Sequence, residues 1–267
     1  MNNSKFIPAV LSIAGSDSSG GAGIQADIKT ITAHKLFAMT AITALTAQNT
    51  TGVSEIHNIP PKFVAEQLNM VFTDIPPAAV KIGMVSEAPI ISTISERLSA
   101  FKAPHIVIDP VMVSTSGSVL LASDATSALI DQLFPLAEVI TPNIPEAEIL
   151  ADQKIENKAD MLKAAEIIAK RCSPKTTILL KGGHLSDSAD DLIYFNNSPI
   201  WLNSEKVITA NTHGTGCTLS SAIACNLAIN LPVPEAIKAA KEYVSGALAA
   251  GLELGHGNGP LNHMFQM

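Results

Sequence analysis

The chain has 267 residues, 47% of them hydrophobic and 15% charged, enough to bury roughly three quarters of its unfolded surface in a large core. A net charge of −7, with 17 basic residues and 4% aromatics, excludes a general nucleic-acid surface, which needs a cationic footprint. No apolar stretch reaches membrane-spanning length, no linker or repeat divides the chain, and the three cysteines form no CxxC pair, so the expectation is one domain over 1–267 in a reducing cytoplasm.

The first apolar run, 9–14, reads as a buried strand. Segment 6–15 has some look of a signal-peptide core, but it contains Pro8 and continues straight into a glycine-rich motif. That motif, Gly15-Ser16-Asp17-Ser18-Ser19-Gly20-Gly21-Ala22-Gly23, has P-loop glycine spacing, yet Gly21 and Ala22 stand where a P-loop needs Lys and then Ser or Thr. A dinucleotide fingerprint fits no better, because its glycines begin too late and no acidic residue lies near the end of the second strand. A flexible loop remains, suited to closing over a small polar molecule. Helix 23–33 follows it and carries Asp27, whose plain alternative role is to compensate the helix dipole.

Next come strand 38–47, ending near Gln48, helix 61–72, strand 78–82, leading to Gly83 and Met84, and helix 89–100. The very apolar strand 105–108 ends at Asp109, which is largely desolvated there unless it meets a metal ion, a lysine or several N–H groups. Residues 113–118 are small and polar, a moving flap or a plain surface loop. Helix 124–133 and strand 138–140 lead to Thr141-Pro142-Asn143-Ile144-Pro145-Glu146. Asn143 and Glu146 there make a capping box, or orient water around Mg²⁺, which keeps several waters and takes few carboxylates. Helix 158–171 and strand 177–180 follow. The strand ends at Lys181-Gly182-Gly183-His184, where a phosphate would satisfy the lysine. Segment 192–208, with Tyr194, Phe195 and Trp201 between turn residues, reads as a hairpin at a sheet edge.

Asn211-Thr212-His213-Gly214-Thr215-Gly216-Cys217-Thr218-Leu219-Ser220 opens helix 217–231, and helix 234–253 closes the order. A helix start carries unpartnered N–H groups and partial positive charge, and glycines let a phosphate approach them. The plain alternative is an N-cap at Thr212 or Thr215, with Cys217 as an ordinary buried thiol. Strands alternating with helices mark βα units around a mostly parallel sheet, and such a sheet binds ligands beyond its carboxyl edge. Gly15, Asp17, Gln48, Gly83, Met84, Asp109, Asn143 and Lys181 gather on that rim.

On IAGSDSSGGAGIQAD, ITALTAQNTTGV, VKIGM, IDPVM, TPNIPEAE, LLKGGH, NTHGTGCTLS and GNGPLNH, nearly the whole chain resembles the ribokinase superfamily. Within it, the likeness is to the bifunctional hydroxymethylpyrimidine and phosphomethylpyrimidine kinases of thiamine biosynthesis. The resemblance implies a ribokinase-like α/β three-layer sandwich with a central, mainly parallel sheet, a homodimer, and ATP with Mg²⁺. It implies successive phosphorylation of 4-amino-5-hydroxymethyl-2-methylpyrimidine to the monophosphate and the pyrophosphate. The pyrimidine would be held by Gly15, Ala22, Asp27, Gln48, Met84 and Val111. Lys181, Asn143, Thr212, Gly214, Thr215 and Gly216 would serve the nucleotide phosphates, and Asp109 and Glu146 the metal. Cys217 would stand where many superfamily members place an Asp base. A thiol near a helix N-terminus has a depressed pKa, so a base role is chemically reasonable, and a positioning role is open. The alternatives are a pyridoxal or pyridoxine kinase, a non-catalytic pyrimidine-binding protein, and a dinucleotide oxidoreductase.

Overall fold

The computed structural model describes residues 7–112, 123–183, 190–203 and 209–267. The expected flap at 113–118, His184 and part of the far end of the expected hairpin lie outside them. The strands are β1 (Ala9–Asp17), β2 (Phe37–Asn49), β3 (Gly52–Asn58), β4 (Ala79–Ile82), β5 (Ile106–Ile108), β6 (Val139–Ile140), β7 (Thr177–Leu180), β8 (Asp191–Phe195) and β9 (Ser198–Leu202). The helices are α1 (Gly23–Ala33), α2 (Pro61–Asp74), α3 (Ala88–Phe101), α4 (Ser123–Ala128), α5 (Ile144–Ala151), α6 (Lys158–Ala169), α7 (Thr215–Ala228) and α8 (Val233–Ala249).

All nine strands form one sheet in the order β3-β2-β1-β4-β5-β6-β7-β8-β9. The stretch from β2 through β7 is parallel, and β3 and the β8–β9 hairpin flank it antiparallel. Asn196 and Asn197, both at positive φ, make the two-residue hairpin turn that suits strand twist. Side chains along a strand alternate between faces. Leu11 and Ile13 thus enter a core with Leu68, Ile91 and Ile94 of α2 and α3, whereas Val10 enters one with Ile223 and Ile237 of α7 and α8. Helices cover both faces, so the three-layer sandwich is the observed architecture.

Two elements escape the sequence pattern. Strand β3 is mostly exposed, so no apolar alternation marks it. Helix α5 follows its capping box for only eight residues. The expected helix 124–133 is α-helical only to Ala128, then passes through a π-turn (Leu129–Leu133) and a 3₁₀ turn (Phe134–Leu136). Pro135 accounts for the stop, because it lacks an N–H and crowds the carbonyl four residues back.

Candidate active site

The parallel strands end on one rim, and two of their ends carry the opposite charges of the site. Lys181 Nζ lies 3.0 Å from Asp109 Oδ1, and Thr141 Oγ1 donates to the same oxygen at 3.0 Å. Burial pulls the Lys181 pKa down, but Asp109, Glu146 and Asp191 more than offset it and hold it above its ordinary value. Asp191, itself paired with Lys241 of α8, accepts from Gly182 N–H at 2.8 Å and so fixes the turn after Lys181.

Helix α7 opens directly onto this pair. A methyl group at Gly216 would lie 3.0 Å from Asp109 Oδ2 and 3.5 Å from Lys181 Nζ. The N-cap is Gly214, at φ +86, with no side-chain cap, so neither Thr212 nor Thr215 caps the helix. Thr215 Oγ1 instead donates to Thr212 O at 2.8 Å. The helix start therefore meets the rim with backbone N–H groups and positive partial charge.

Cys217 occupies the first turn but does not have the expected low pKa. Burial pushes its thiol up to about 11. Lys81 and the Gly23 N–H pull it down, and Asp27 and Asp109 add to the rise. Desolvation outweighs the helix start and the nearby lysine.

Asn143 and Glu146 form the capping box in full: Glu146 N–H donates to Asn143 Oδ1 at 2.9 Å and Asn143 N–H to Glu146 Oε2 at 2.8 Å. Burial also pushes the Glu146 carboxyl up to about 7 against the pull of Lys181. Asp109 adds to the rise, and the N–H groups of Asn143 and Met112 oppose it. Among the described residues no cluster of three or more metal-binding side chains exists. The two buried carboxyl groups of Asp109 and Glu146 nevertheless fit an Mg²⁺ that arrives with phosphate oxygens and its own waters.

Among the residues expected to hold the pyrimidine, Gly15 leaves room for Met84, whose Cε would lie 2.5 Å from a methyl there, and Thr43 Oγ1 donates to Met84 O at 2.8 Å. Val111 N–H turns back to Asp109 O at 2.8 Å. Gln48 Oε1 lies 3.0 Å from Thr46 Oγ1, and its Nε2 lies 3.4 Å from His213 Nε2. Ala22 N–H is taken by Asp17 Oδ2 at 2.8 Å. Asp27, which the resemblance assigns to the pyrimidine, is paired inside the protein. It is fully buried, and its carboxylate accepts from Lys81 Nζ at 2.8 and 2.9 Å, Ser12 Oγ at 2.5 Å and Ser221 Oγ at 2.7 Å. Nor does it sit in the first helical turn, where dipole compensation is strongest.

Motif reading missed three groups: Lys81, the Asp17–His213 contact at 2.8 Å and His263, 2.9 Å from Thr218 Oγ1. A lysine inside the apolar strand Ala79–Ile82 was a legible signal, since such a cation needs a buried partner.

This geometry has close counterparts among known proteins. A family model described as phosphomethylpyrimidine kinase matches residues 17–262. The chain belongs to the phosphomethylpyrimidine kinase family. It is 46% identical over 257 residues to the hydroxymethylpyrimidine/phosphomethylpyrimidine kinase of Rhizobium meliloti, covering 95% of this chain and 96% of that one. It is 47% identical to a bifunctional thiamine biosynthesis protein of Geobacter sulfurreducens, and there it spans 52% of the relative's length. Among solved structures, phosphomethylpyrimidine kinase of Clostridium difficile matches with a TM-score of 0.81 at 46% identity, over 90% of this chain and 99% of that one. The ADP complex of Bacillus subtilis pyridoxal kinase matches with a TM-score of 0.88 at 35% identity, over 97% and 98%. Members of the family are kinases, so this protein is a phosphotransferase, and the oxidoreductase and non-catalytic alternatives fall away.

Two outcomes follow for this kinase. Asp27→Asn leaves the fully buried Lys81 uncompensated and should destabilise the fold by about 3–5 kcal/mol, measured by chemical denaturation. A loss near zero would mean that the pair holds nothing together. The raised Glu146 pKa means that the folded form keeps its proton longer than the unfolded chain. Its contribution to stability is full below pH 4.5 and is lost as pH rises to about 7. Glu146→Gln retains a capping side chain but cannot titrate, so the decline in stability across that window should shrink; an unchanged slope would assign the decline to other groups.

Proposed function

We propose that this phosphotransferase moves the γ-phosphoryl group of ATP to the hydroxymethyl oxygen of 4-amino-5-hydroxymethyl-2-methylpyrimidine, then moves a second phosphoryl to the monophosphate, in thiamine biosynthesis. The observation that carries the reading is the meeting of Lys181, Asp109 and the uncapped start of α7 at the sheet's carboxyl edge. In each transfer a new P–O bond forms to the acceptor oxygen as the bond to the ADP leaving group breaks. Alignment and charge stabilisation dominate such reactions. Lys181 draws charge from the moving phosphoryl oxygens, and Thr212, Gly214, Thr215 and Gly216 cradle the nucleotide phosphates with the backbone at the head of α7. Asp109 and Glu146, the latter oriented by Asn143, would hold Mg²⁺, which would supply neutralisation of phosphate charge.

Gly15, Ala22, Met84 and Val111 line the acceptor site, and Gln48 offers its amide, both donor and acceptor, to the ring. Asp27 acts from below through Lys81 rather than by touching the pyrimidine. Cys217 accepts the hydroxymethyl proton only as thiolate, which Lys81 favours and burial opposes. The whole chain works as one domain, supported by the single sheet that runs through it. A cytoplasmic setting is supported by three free cysteines and by the absence, among the described residues, of a helix long and apolar enough to cross a membrane. Exposed Phe63 and Met70 on α2 support a homodimer. The negative net charge speaks against nucleic acid as a partner.

Incubation with MgATP and the hydroxymethylpyrimidine should give products heavier by one and then two phosphoryl groups, read by mass spectrometry. Phosphorylation of pyridoxal alone, in a parallel reaction, would move the substrate to the vitamin B6 class that the Bacillus subtilis neighbour's name denotes. The elevated thiol pKa makes a further distinction. The first transfer should accelerate into the alkaline range without levelling near neutrality, and Cys217→Ala should remove that rise. The second, whose acceptor oxygen is already ionised, should follow neither change. A first transfer independent of pH would leave Cys217 a positioning group.

A further inference from the structure

Glycine-rich loops are entropically costly to order, and the loop after β1 is ordered around one side chain. Asp17, 2% exposed, accepts from Ser19 N–H at 2.8 Å, Ser19 Oγ at 2.7 Å, Gly21 N–H at 3.1 Å and Ala22 N–H at 2.8 Å. The fifth donor comes from across the site: His213 Nε2 lies 2.8 Å from Asp17 Oδ2. Although burial alone would raise its pKa, the His213, Ser19 and Ala22 hydrogen bonds hold the carboxyl well below the usual carboxylate range.

His213 immediately precedes Gly214, the N-cap of α7, and its own N–H is held by Gly259 O at 3.0 Å. The two loops touch at backbone distance. A methyl on Gly214 would lie 1.9 Å from Gly21 O, and one on Gly21 would lie 2.3 Å from His213 Cδ2. Gln48, expected to read the acceptor ring, reaches the same imidazole at 3.4 Å. The acceptor-side loop and the phosphate-side turn are thus joined by glycine contacts that set how close they come and by one charged hydrogen bond that sets their register.

We propose that Asp17 is a positioning residue for phosphoryl transfer: through His213 it fixes the acceptor-side loop against the head of α7 and so aligns the acceptor oxygen with the transferring group. The role rests on the phosphotransfer reading above. Asp17 and His213 hold two loops against each other, so what depends on their bond is alignment, and a misplacement of about 1 Å lowers rates by about 100-fold.

Asp17→Asn keeps the shape but turns an NH₂ group toward donors. It should lower kcat by about 10- to 100-fold, with the KM values for MgATP and the pyrimidine within about threefold of wild type. His213→Ala should give a similar kcat loss. His213→Gln, whose amide still donates, should recover kcat to within about threefold of wild type. The double variant Asp17→Asn/His213→Ala should be no slower than either single one, because both remove the same bond. Thermal melts of each variant, with kcat expressed per folded molecule, separate alignment from loss of fold. The His213 pair carries the test if Asp17→Asn unfolds. A wild type that phosphorylates no pyrimidine would overturn the phosphotransfer reading itself. An active wild type with additive losses in the double variant, or with His213→Gln as slow as His213→Ala, would overturn the role of Asp17.

Discussion

Lys81 and Asp27 meet with no exposed surface on either side chain, and four elements come to that meeting. Ser12 stands on β1, Asp27 on α1, Lys81 on β4 and Ser221 on α7. Taking two charges out of water is expensive, and their attraction offsets it only where geometry is good and the remaining lone pairs are satisfied. Here both carboxylate oxygens receive the ammonium, and each also receives a hydroxyl. Burial would lower the Lys81 pKa, yet Asp27, with Cys217 and Asp109, keeps it above its ordinary value. The pair is neutral as a whole, and it ties α1 and α7 to strands β1 and β4.

The two lysines near the carboxyl edge differ in their surroundings. Lys181 is partly exposed and paired with Asp109, so its ammonium has solvent on one side and a single carboxylate on the other. Lys81 cannot move, because every neighbour is packed around it. Its effect on the site is electrostatic, and Cys217 registers it: the lysine pulls the thiol pKa down while burial drives it up. A helix start lowers a cysteine pKa where the sulfur keeps some solvent. At Cys217 the same helix start is sealed against α1 through the Gly23 N–H, and desolvation dominates.

The difference between what motifs revealed and what they hid has the same origin. Gly214, Gly216, Lys181 and Asp109 were legible because each is an unusual residue at the end of a regular element, where backbone geometry alone dictates what it faces. Asp27 lies one turn into a helix, and which side of that helix is buried depends on α7 arriving some 190 residues later in the sequence; no local pattern carries that information. The capping box at Asn143 and Glu146 was visible as a spacing, but its second property, a carboxyl raised to about 7, arises from Asp109 and burial and so from tertiary packing. Strand β3 was hidden for the opposite reason: too little of it is buried for periodicity to show.

The end of the chain follows from these constraints. Helix α7 has no side-chain cap, which leaves its head open to an anion and also leaves it without the usual local anchor. Residues after α8 supply one. Gly259 N–H donates to Ala210 O at 3.1 Å, and Gly259 O accepts from His213 N–H at 3.0 Å. Asn258 N–H reaches Thr50 O at 3.1 Å in the β2–β3 turn. His263, buried and with its pKa pulled down to about 4 by that burial and by Lys29, stays neutral near pH 7 beside Thr218. Tyr243 of α8 holds the His263 carbonyl at 2.9 Å. A neutral side chain is what this position requires, since a cation behind the first turn of α7 would oppose the helix dipole. The GNGPLNH segment thus replaces the missing cap with support from behind the head of α7.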